Sequence, residues 1–216
     1  MINKNGYSNN LLQTKKEDFK MKKLASVLLV IGLLSWAGCS GSSEIGSEKT
    51  IDKSGSQPEW LLKPTIEEDD FILVTGEITQ AKDRSFGMNQ AYADGLRKLM
   101  NMMQNKVKTQ SSLAMSGNNM NESDIGKYSE FAVGWVSDTK NISGIKNPDS
   151  YWEKIEKKTA EGVSYYYNCY SQLRVTRVDY NKALEGAYNE MKKKAMEENN
   201  AKAEDTAKKL IEDLNK

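Results

Sequence analysis

The chain has 216 residues, and its 31 Lys and Arg residues nearly balance its 30 Asp and Glu residues. This near-neutral charge gives no reason to expect a nucleic-acid partner. The sequence contains no His, which excludes His-based catalytic triads, His zinc ligands and imidazole acid–base catalysis. Its two cysteines are Cys39 and Cys169, which lie in segments of very different character.

Residues 21–39 have the pattern of an export signal. Two lysines precede an uncharged apolar run from Leu24 to Ala37, and Gly38 is the small residue before Cys39. This order of a positive start, a short apolar core and a small-residue cleavage site is typical of a secretory signal. At 14 residues the run is shorter than the roughly 20 residues that a membrane-spanning helix needs.

The four residues Trp36-Ala37-Gly38-Cys39 resemble the bacterial lipobox, although Trp36 stands where Leu is usual. The resemblance implies that Cys39 becomes the acylated N-terminus of a lipoprotein and that palmitate is among its acyl chains. An anchor with more than one acyl chain holds a protein stably at the membrane. In the lipoprotein sorting rule an Asp after the cysteine retains a protein at the inner membrane, so Ser40 favours the outer membrane. The alternative is an ordinary secretory signal with an incidental cysteine.

The composition divides the chain into five segments. Residues 1–38 carry six Lys and two acidic residues, which leaves residues 39–216 with a net charge of −3. Residues 1–20 are polar, so we expect Met21 to be the true start. The expected organisation is an upstream extension at 1–20, a lipoprotein signal peptide at 21–38, a flexible Ser- and Gly-rich tether at 39–57, an α+β domain at 58–195 and a charged C-terminal helix at 196–216.

The first expected elements of the domain are a strand and a long helix. Phe71–Ile78 is rich in β-branched and aromatic residues, which predicts a strand. Asp83 or Ser85 is the expected cap of a helix that runs to about Ser111. Methionine at helical spacing favours core packing over a metal site or a peptide groove. The predicted apolar face of the helix carries Ala93, Leu96, Met100, Met103 and Val107.

A second helix is predicted over Glu122–Val136, a short strand over Lys140–Ile145 and a turn at Asn147–Ser150. A third helix begins near Asp179. The segment Leu210 to Leu214 either docks on another surface or forms a solvated, fraying helix end. The expected apolar faces are Ile125, Tyr128, Ala132 and Trp135 on the second helix and Ala183, Ala187, Met191 and Ala195 on the third.

A hairpin is predicted from the strands Tyr151–Lys158 and Val163–Arg177, with Glu161 and Gly162 in the turn.

If Cys39 is acylated, Cys169 has no disulfide partner, and its place in a strand favours a buried thiol over intermolecular pairing. The expected fold is α+β, with an antiparallel sheet of three to four strands packed by two to three helices. Alternation places Val163, Tyr165, Tyr167, Cys169, Ser171, Leu173 and Val175 on one face of the second strand, and Tyr166, Tyr170 and Arg174 on the other.

Several of these residues resemble the twenty-kilodalton outer-membrane lipoprotein family over Pro58 to about Leu184. They are the Pro58-x-Trp60 entry, the strand end Val74-Thr75-Gly76, the helix with Gln90-Ala91-Tyr92-Ala93, Leu96 and Leu99, and the aromatic strand Tyr165 to Val175. Gly95 stands where the family tends to carry Ala. The resemblance implies helices packed on an antiparallel sheet at the cell envelope, in a surface antigen or a lipoprotein associated with flagella and motility. It implies no catalytic residue set.

The sequence offers little for catalysis. It has no Gly-rich phosphate loop, no G-x-S-x-G elbow, no S-x-x-K and no C-x-x-C. The acidic run Glu67–Asp70 favours a solvated turn over a calcium site. An acid–base pair for glycan cleavage drawn from Asp149, Glu153 and Glu156 is less favoured than a solvated strand face.

We therefore expect a non-enzymatic lipoprotein, with no cofactor or metal, that is anchored to the membrane through Cys39. Its partner would be another envelope protein or a second copy. One alternative is a lipoprotein regulator of cell-wall synthesis. Another is a small-molecule binder with a pocket lined by Met100, Met103 and Tyr167. The expected partner surface is Tyr165, Tyr166, Tyr167 and Tyr170, because aromatic residues are enriched at binding hot spots.

Overall fold

The computed structural model describes residues 44–215, which form five strands and four α-helices. This confirms the α+β class, with one more strand and one more helix than the expected maximum. Short 3-10 turns occupy Glu59–Leu62 and Thr139–Asn141. The strands are β1 (Glu48–Lys53), β2 (Thr65–Glu67), β3 (Phe71–Ala81), β4 (Lys146–Thr159) and β5 (Gly162–Thr176). The helices are α1 (Arg84–Gly117), α2 (Glu122–Val136), α3 (Arg177–Glu197) and α4 (Ala201–Leu214).

The five strands form one antiparallel sheet in the order β1-β4-β5-β3-β2. The predicted hairpin is confirmed: β4 pairs with β5 from Lys146 opposite Arg174 to Thr159 opposite Gly162. The turn consists of Ala160 and Glu161, one residue earlier than predicted. Gly162 has a φ of 135°, a backbone conformation that favours glycine. β1 and β2 form the two edges of the sheet, so the chain between them must cross three strands.

The long helix α1 packs on the sheet with its first half and on the other helices with its second half. Its buried residues recur every four positions. Since an α-helix turns 100° per residue, a four-residue step moves the buried stripe by about 40° around the helix. The stripe therefore faces β3 and β5 at its start and α2 and α4 further on. Its members are Gly87, Ala91, Gly95, Leu99, Met103, Val107, Ser111 and Met115.

The helices and the sheet share one apolar core. The apolar stripe predicted for α3 is confirmed, since all four of its residues are buried. The helix breaks at Asn199, which has a φ of 54°, and α4 then packs against α3 and α1. The C-terminal segment docks on its own domain instead of fraying in solvent, because Ala203, Thr206, Ala207 and Leu210 are buried.

Three sequence expectations about local structure are corrected. Residues 48–53, expected within the flexible tether, form β1 and pair with β4. All six side chains of β1 are exposed, so an edge strand here needs no apolar face. Lys140–Ile145 is not a strand: its start belongs to the Thr139–Asn141 turn. Asn147–Ser150 lies within β4 beside a break in register, between Lys146 and Asp149, instead of forming a turn.

The expected face of α1 is also only partly right. Met103 and Val107 are fully buried, but Ala93 is exposed and Leu96 and Met100 are half-buried at the rim. The helix contacts the sheet through small residues instead. A Cβ atom on Gly87 would lie 2.7 Å from the Cys169 sulfur, so only glycine allows this close approach.

Candidate functional site

The predicted lipidation site, Cys39, lies outside the described residues, as do the signal peptide and the first part of the tether. Lipid attachment therefore remains a prediction. Within residues 44–215, no helix combines the length and the apolar character needed to cross a membrane. The functional geometry that the structure does describe is centred on the β4–β5 hairpin.

The four tyrosines of the expected partner surface are divided between the two faces of β5. Tyr165 and Tyr167 lie on the same face as Cys169, which packs against α1, and Tyr166 and Tyr170 lie on the opposite face. Tyr165 is 51% exposed, whereas Tyr166 is only 9% exposed. The expectation of one surface made of all four tyrosines is therefore corrected: strand alternation separates them into two environments.

Tyr165 and Tyr167 belong to an aromatic strip, which we define as Trp152, Lys154, Tyr165 and Tyr167. The Trp152 and Tyr167 rings meet edge to face, with centroids 6.0 Å apart. The Lys154 Nζ atom lies 5.0 Å from the Tyr165 ring centroid and 6.0 Å from that of Tyr167. The Arg84 guanidinium covers the other end of the strip, 4.9 Å from the Trp152 ring centroid. Each of the three rings therefore has a cation over it, Arg84 for Trp152 and Lys154 for the two tyrosines.

The Tyr165 end of the strip is exposed because α1 begins too late to cover it, whereas Trp152, Lys154 and Tyr167 are half-buried. The helix starts at Arg84, where the Asp83 carboxylate accepts a hydrogen bond of 2.8 Å from the Phe86 N–H. Gly87 lies over Cys169 and Gly95 lies over Leu173, so the helix runs toward the C-terminal end of β5. Residues 162–168 of β5 and their partners on β4 project beyond the helix start.

On the opposite face, Tyr166 and Tyr170 belong to buried or half-buried clusters. Burial, together with the Glu48 carboxylate, raises the pKa of Tyr166 to about 12. The Tyr170 ring packs 6.1 Å from that of Tyr151, whose hydroxyl donates a 2.8 Å hydrogen bond to Glu153. Burial and this hydrogen bond raise the pKa of Tyr151 to about 12. These tyrosines support the sheet, and they keep their protons at neutral pH.

The prediction of a buried Cys169 is confirmed. Its thiol donates a long hydrogen bond of 3.8 Å to the Arg84 carbonyl oxygen. Burial raises the pKa of this thiol to about 11, which the nearby Arg84 only partly offsets. The thiol is therefore protonated and shielded at neutral pH, and it is a poor nucleophile.

The three carboxylates that could supply an acid–base pair, Asp149, Glu153 and Glu156, do not converge. Glu153 and Glu156 lie three residues apart on β4, so they point to opposite faces of the sheet. Asp149 accepts a 2.7 Å hydrogen bond from the Trp60 indole nitrogen. In the described part of the chain, no group of three or more His, Cys, Asp or Glu side chains could hold a metal ion.

The three residues of the expected small-molecule pocket do not meet either. Met103 is fully buried in the core, and Met100 lines an open groove on α1 together with Leu96. Tyr167 lies near the start of α1, beside Trp152. Since Met100 is 13 residues beyond Gly87, about 20 Å along the helix, it cannot share a cavity with Tyr167.

Sequence reasoning missed Trp152, Lys154 and Arg84 as members of the surface. The register of the hairpin was the available signal, because a turn at Ala160 and Glu161, one residue earlier than predicted, places Trp152 opposite Cys169 and Lys154 opposite Tyr167. Comparison of the chain with family models, with curated proteins and with solved structures found no match. The lipoprotein-family resemblance therefore rests on the sequence features quoted above.

Proposed function

We propose that the chain is a non-enzymatic lipoprotein of the bacterial cell envelope, held at the outer membrane by acyl chains on Cys39. Its α+β domain is a binding module for another envelope protein or for a second copy. The observation that carries this proposal is the apolar run of Leu24 to Ala37, which follows two lysines and ends at Gly38 and Cys39.

The binding surface in this proposal is the aromatic strip. Tyr165 is half exposed and is held by Lys154, so the ring is presented to solvent in a defined orientation. Aromatic side chains with few rotatable bonds lose little entropy on binding and often act as interface anchors. Tyr166 and Tyr170 lie on the other face and belong to the support of the sheet.

The anchor is tested by replacing Cys39 with Ala in cells that express the full chain. We expect the unaltered protein to take up labelled palmitate and to sediment with the membranes. The C39A variant is expected to lose the label and to remain uncleaved, because acylation precedes signal removal in lipoproteins. Uptake of label by C39A would contradict the anchor, and so would normal processing of C39A, which indicates an ordinary secretory signal.

The binding surface is tested by crosslinking in cells followed by purification from the membrane fraction. Tyr165→Ala is compared with Leu62→Ala, because Leu62 is also a large apolar residue and is 79% exposed. We expect a specific crosslinked species with the unaltered protein and with L62A, and its loss with Y165A. Equal crosslinking in all three proteins would refute the strip as the binding surface. The identity of the captured protein separates a motility role from the regulation of cell-wall synthesis.

A further inference from the structure

The chain enters the folded unit at the tip of the β4–β5 hairpin. The Gly46 N–H donates a 2.8 Å hydrogen bond to the Lys158 carbonyl oxygen, and the Lys158 N–H donates a 3.1 Å bond to the Ser47 carbonyl oxygen. Lys158 is the last residue but one of β4, next to the hairpin turn. From there β1 runs antiparallel to β4, away from the turn.

The covalent distance from Cys39 to this point is short. Six residues separate Cys39 from Gly46, and a fully extended chain over that interval covers about 25 Å. The 34 residues of α1 are about 51 Å long by comparison. If Cys39 is acylated, as the proposed function requires, Gly46 stays within about 25 Å of the lipid headgroups in every orientation of the domain.

The tip that is held there carries exposed apolar side chains. We define the hairpin tip as Ile45, Lys158, Val163 and the turn 159–162. Ile45 is 73% exposed and Val163 is 51% exposed, and the backbone register places them on either side of Lys158. Tyr165 follows two residues beyond Val163 on the same face and is 51% exposed. This combination of side chains suits a membrane interface. The aliphatic side chains are apolar, a tyrosine has an apolar ring with a polar hydroxyl, and a lysine can extend its amine to water.

The charge of the tip does not select anionic lipid. Glu161 lies in the turn next to Lys158, and Glu48 pairs with Lys157 at 2.8 Å. Attraction to the bilayer must therefore come from burial of Ile45 and Val163 and from the high local concentration that the anchor provides.

We propose that the hairpin tip docks on the phospholipid bilayer that holds the acyl chains of Cys39. Ile45 and Val163 enter the headgroup region, and Lys158 points its amine to the aqueous side. The aromatic strip begins directly above the tip, so a partner that binds the strip meets the domain at the membrane surface. This inference rests on the proposed function, because the hairpin tip offers only Ile45 and Val163 as exposed aliphatic side chains, too few to hold an unanchored domain on lipid.

The test uses the mature chain, residues 39–216, coupled through the Cys39 thiol to maleimide lipid in phosphatidylcholine vesicles. Coupling is selective because Cys169 is buried. Val163→Trp is compared with Leu113→Trp, since Leu113 is 69% exposed on α1 and 26 residues, about 39 Å, beyond Gly87. Bromine atoms on the acyl chains near the interface are expected to quench the added emission of V163W and to leave that of L113W unchanged.

Equal quenching of the two variants, or quenching of neither, would overturn the inference. A concentration-dependent blue shift of V163W in the absence of lipid would assign the tip to contact with a second copy and would overturn it as well. Because the coupling is chemical, the result does not depend on lipidation in cells. Failure of the proposed function appears separately, as palmitate labelling or normal signal processing of C39A.

Hydrogen exchange on the unaltered mature chain provides a second measurement that needs no substitution near the tip. Amides of residues 158–163 are expected to exchange more slowly on vesicles than in free solution, while those of residues 113–117 at the end of α1 are expected to exchange equally. Equal exchange at the tip with and without vesicles would contradict the proposed contact.

Discussion

Gly76 of β3 lies directly beneath the backbone of Ala91 on α1, so close that a Cβ atom on Gly76 would overlap the Ala91 carbonyl oxygen. The same Cβ atom would also meet the backbone of Gly95. This contact fixes the distance between the long helix and the sheet, and through it the position at which α1 begins relative to the projecting hairpin.

Gly76→Ala is therefore expected to destabilise the domain. The added methyl group must push α1 away from β3, and overpacking of this kind costs about 2–3 kcal/mol. The measurement is the free energy of unfolding in urea. Gly126→Ala is the matched control, because a Cβ atom on Gly126 meets nothing within 4 Å and the residue lies inside helix α2. G126A is expected to be neutral or up to about 1 kcal/mol more stable than the unaltered protein. Equal stability of G76A and G126A would refute the close contact.

Much of the fold follows from side-chain patterns in the sequence. The alternation in Val163–Arg177 correctly predicts the second hairpin strand and its two faces, although the turn lies at Ala160 and Glu161, one residue earlier than predicted. Asp83, one of the two expected caps, is the cap of α1. β1 could not be predicted in this way. Its sequence EKTIDK has no apolar face, and the strand exists only because the edge of β4 offers hydrogen-bond partners.

The candidate site was only partly predictable for a related reason. The sequence indicated tyrosines on β5, but whether a strand face is solvent-exposed depends on where the covering helix begins. The contact of α1 with the sheet is formed by small residues, Gly87 and Gly95. A search for large apolar residues at helical spacing does not identify glycines as buried. The exposed part of the sheet can therefore be identified only when the positions of α1 and β5 relative to each other are known.

The buried Cys169 is expected to resist thiol reagents in the folded protein. The C39A variant of the mature chain contains Cys169 as its single thiol. Because burial raises the pKa of that thiol to about 11, little thiolate forms at pH 8, and the packed Gly87 also blocks access. We expect no fast reaction with a disulfide reagent in buffer and one reacting thiol in urea. A fast reaction in buffer at a rate like that of a free peptide thiol would contradict this burial.

Alkaline pH is expected to reveal the buried Tyr151. Its pKa of about 12 lies above the ordinary value of 10, so the unfolded chain loses this proton at a lower pH than the folded chain does. The stabilising contribution is complete below pH 10 and is lost as the pH rises from 10 toward 12. Tyr151→Phe should therefore show a shallower fall in unfolding free energy over that interval.

Glu153→Gln separates the two causes of the Tyr151 shift. Burial is the larger cause and the Glu153 hydrogen bond is the smaller one, so E153Q is expected to keep most of the alkaline slope. The measurement is urea unfolding at several values between pH 8 and pH 12. A slope in E153Q as shallow as that in Y151F would show that the Glu153 charge, and not burial, dominates.

The docked C-terminal helix α4 is expected to contribute directly to stability. Leu210 is 8% exposed and belongs to the shared core, whereas the exposed Leu62 does not. Leu210→Ala should cost about 2–3 kcal/mol because it leaves a cavity between α4 and its neighbours. Leu62→Ala should change stability by less than about 0.5 kcal/mol, as is usual for an exposed side chain. Urea unfolding of both variants provides the comparison. If L210A were as stable as L62A, the segment after Asn200 would be a solvated helix after all, and the core would end with α3.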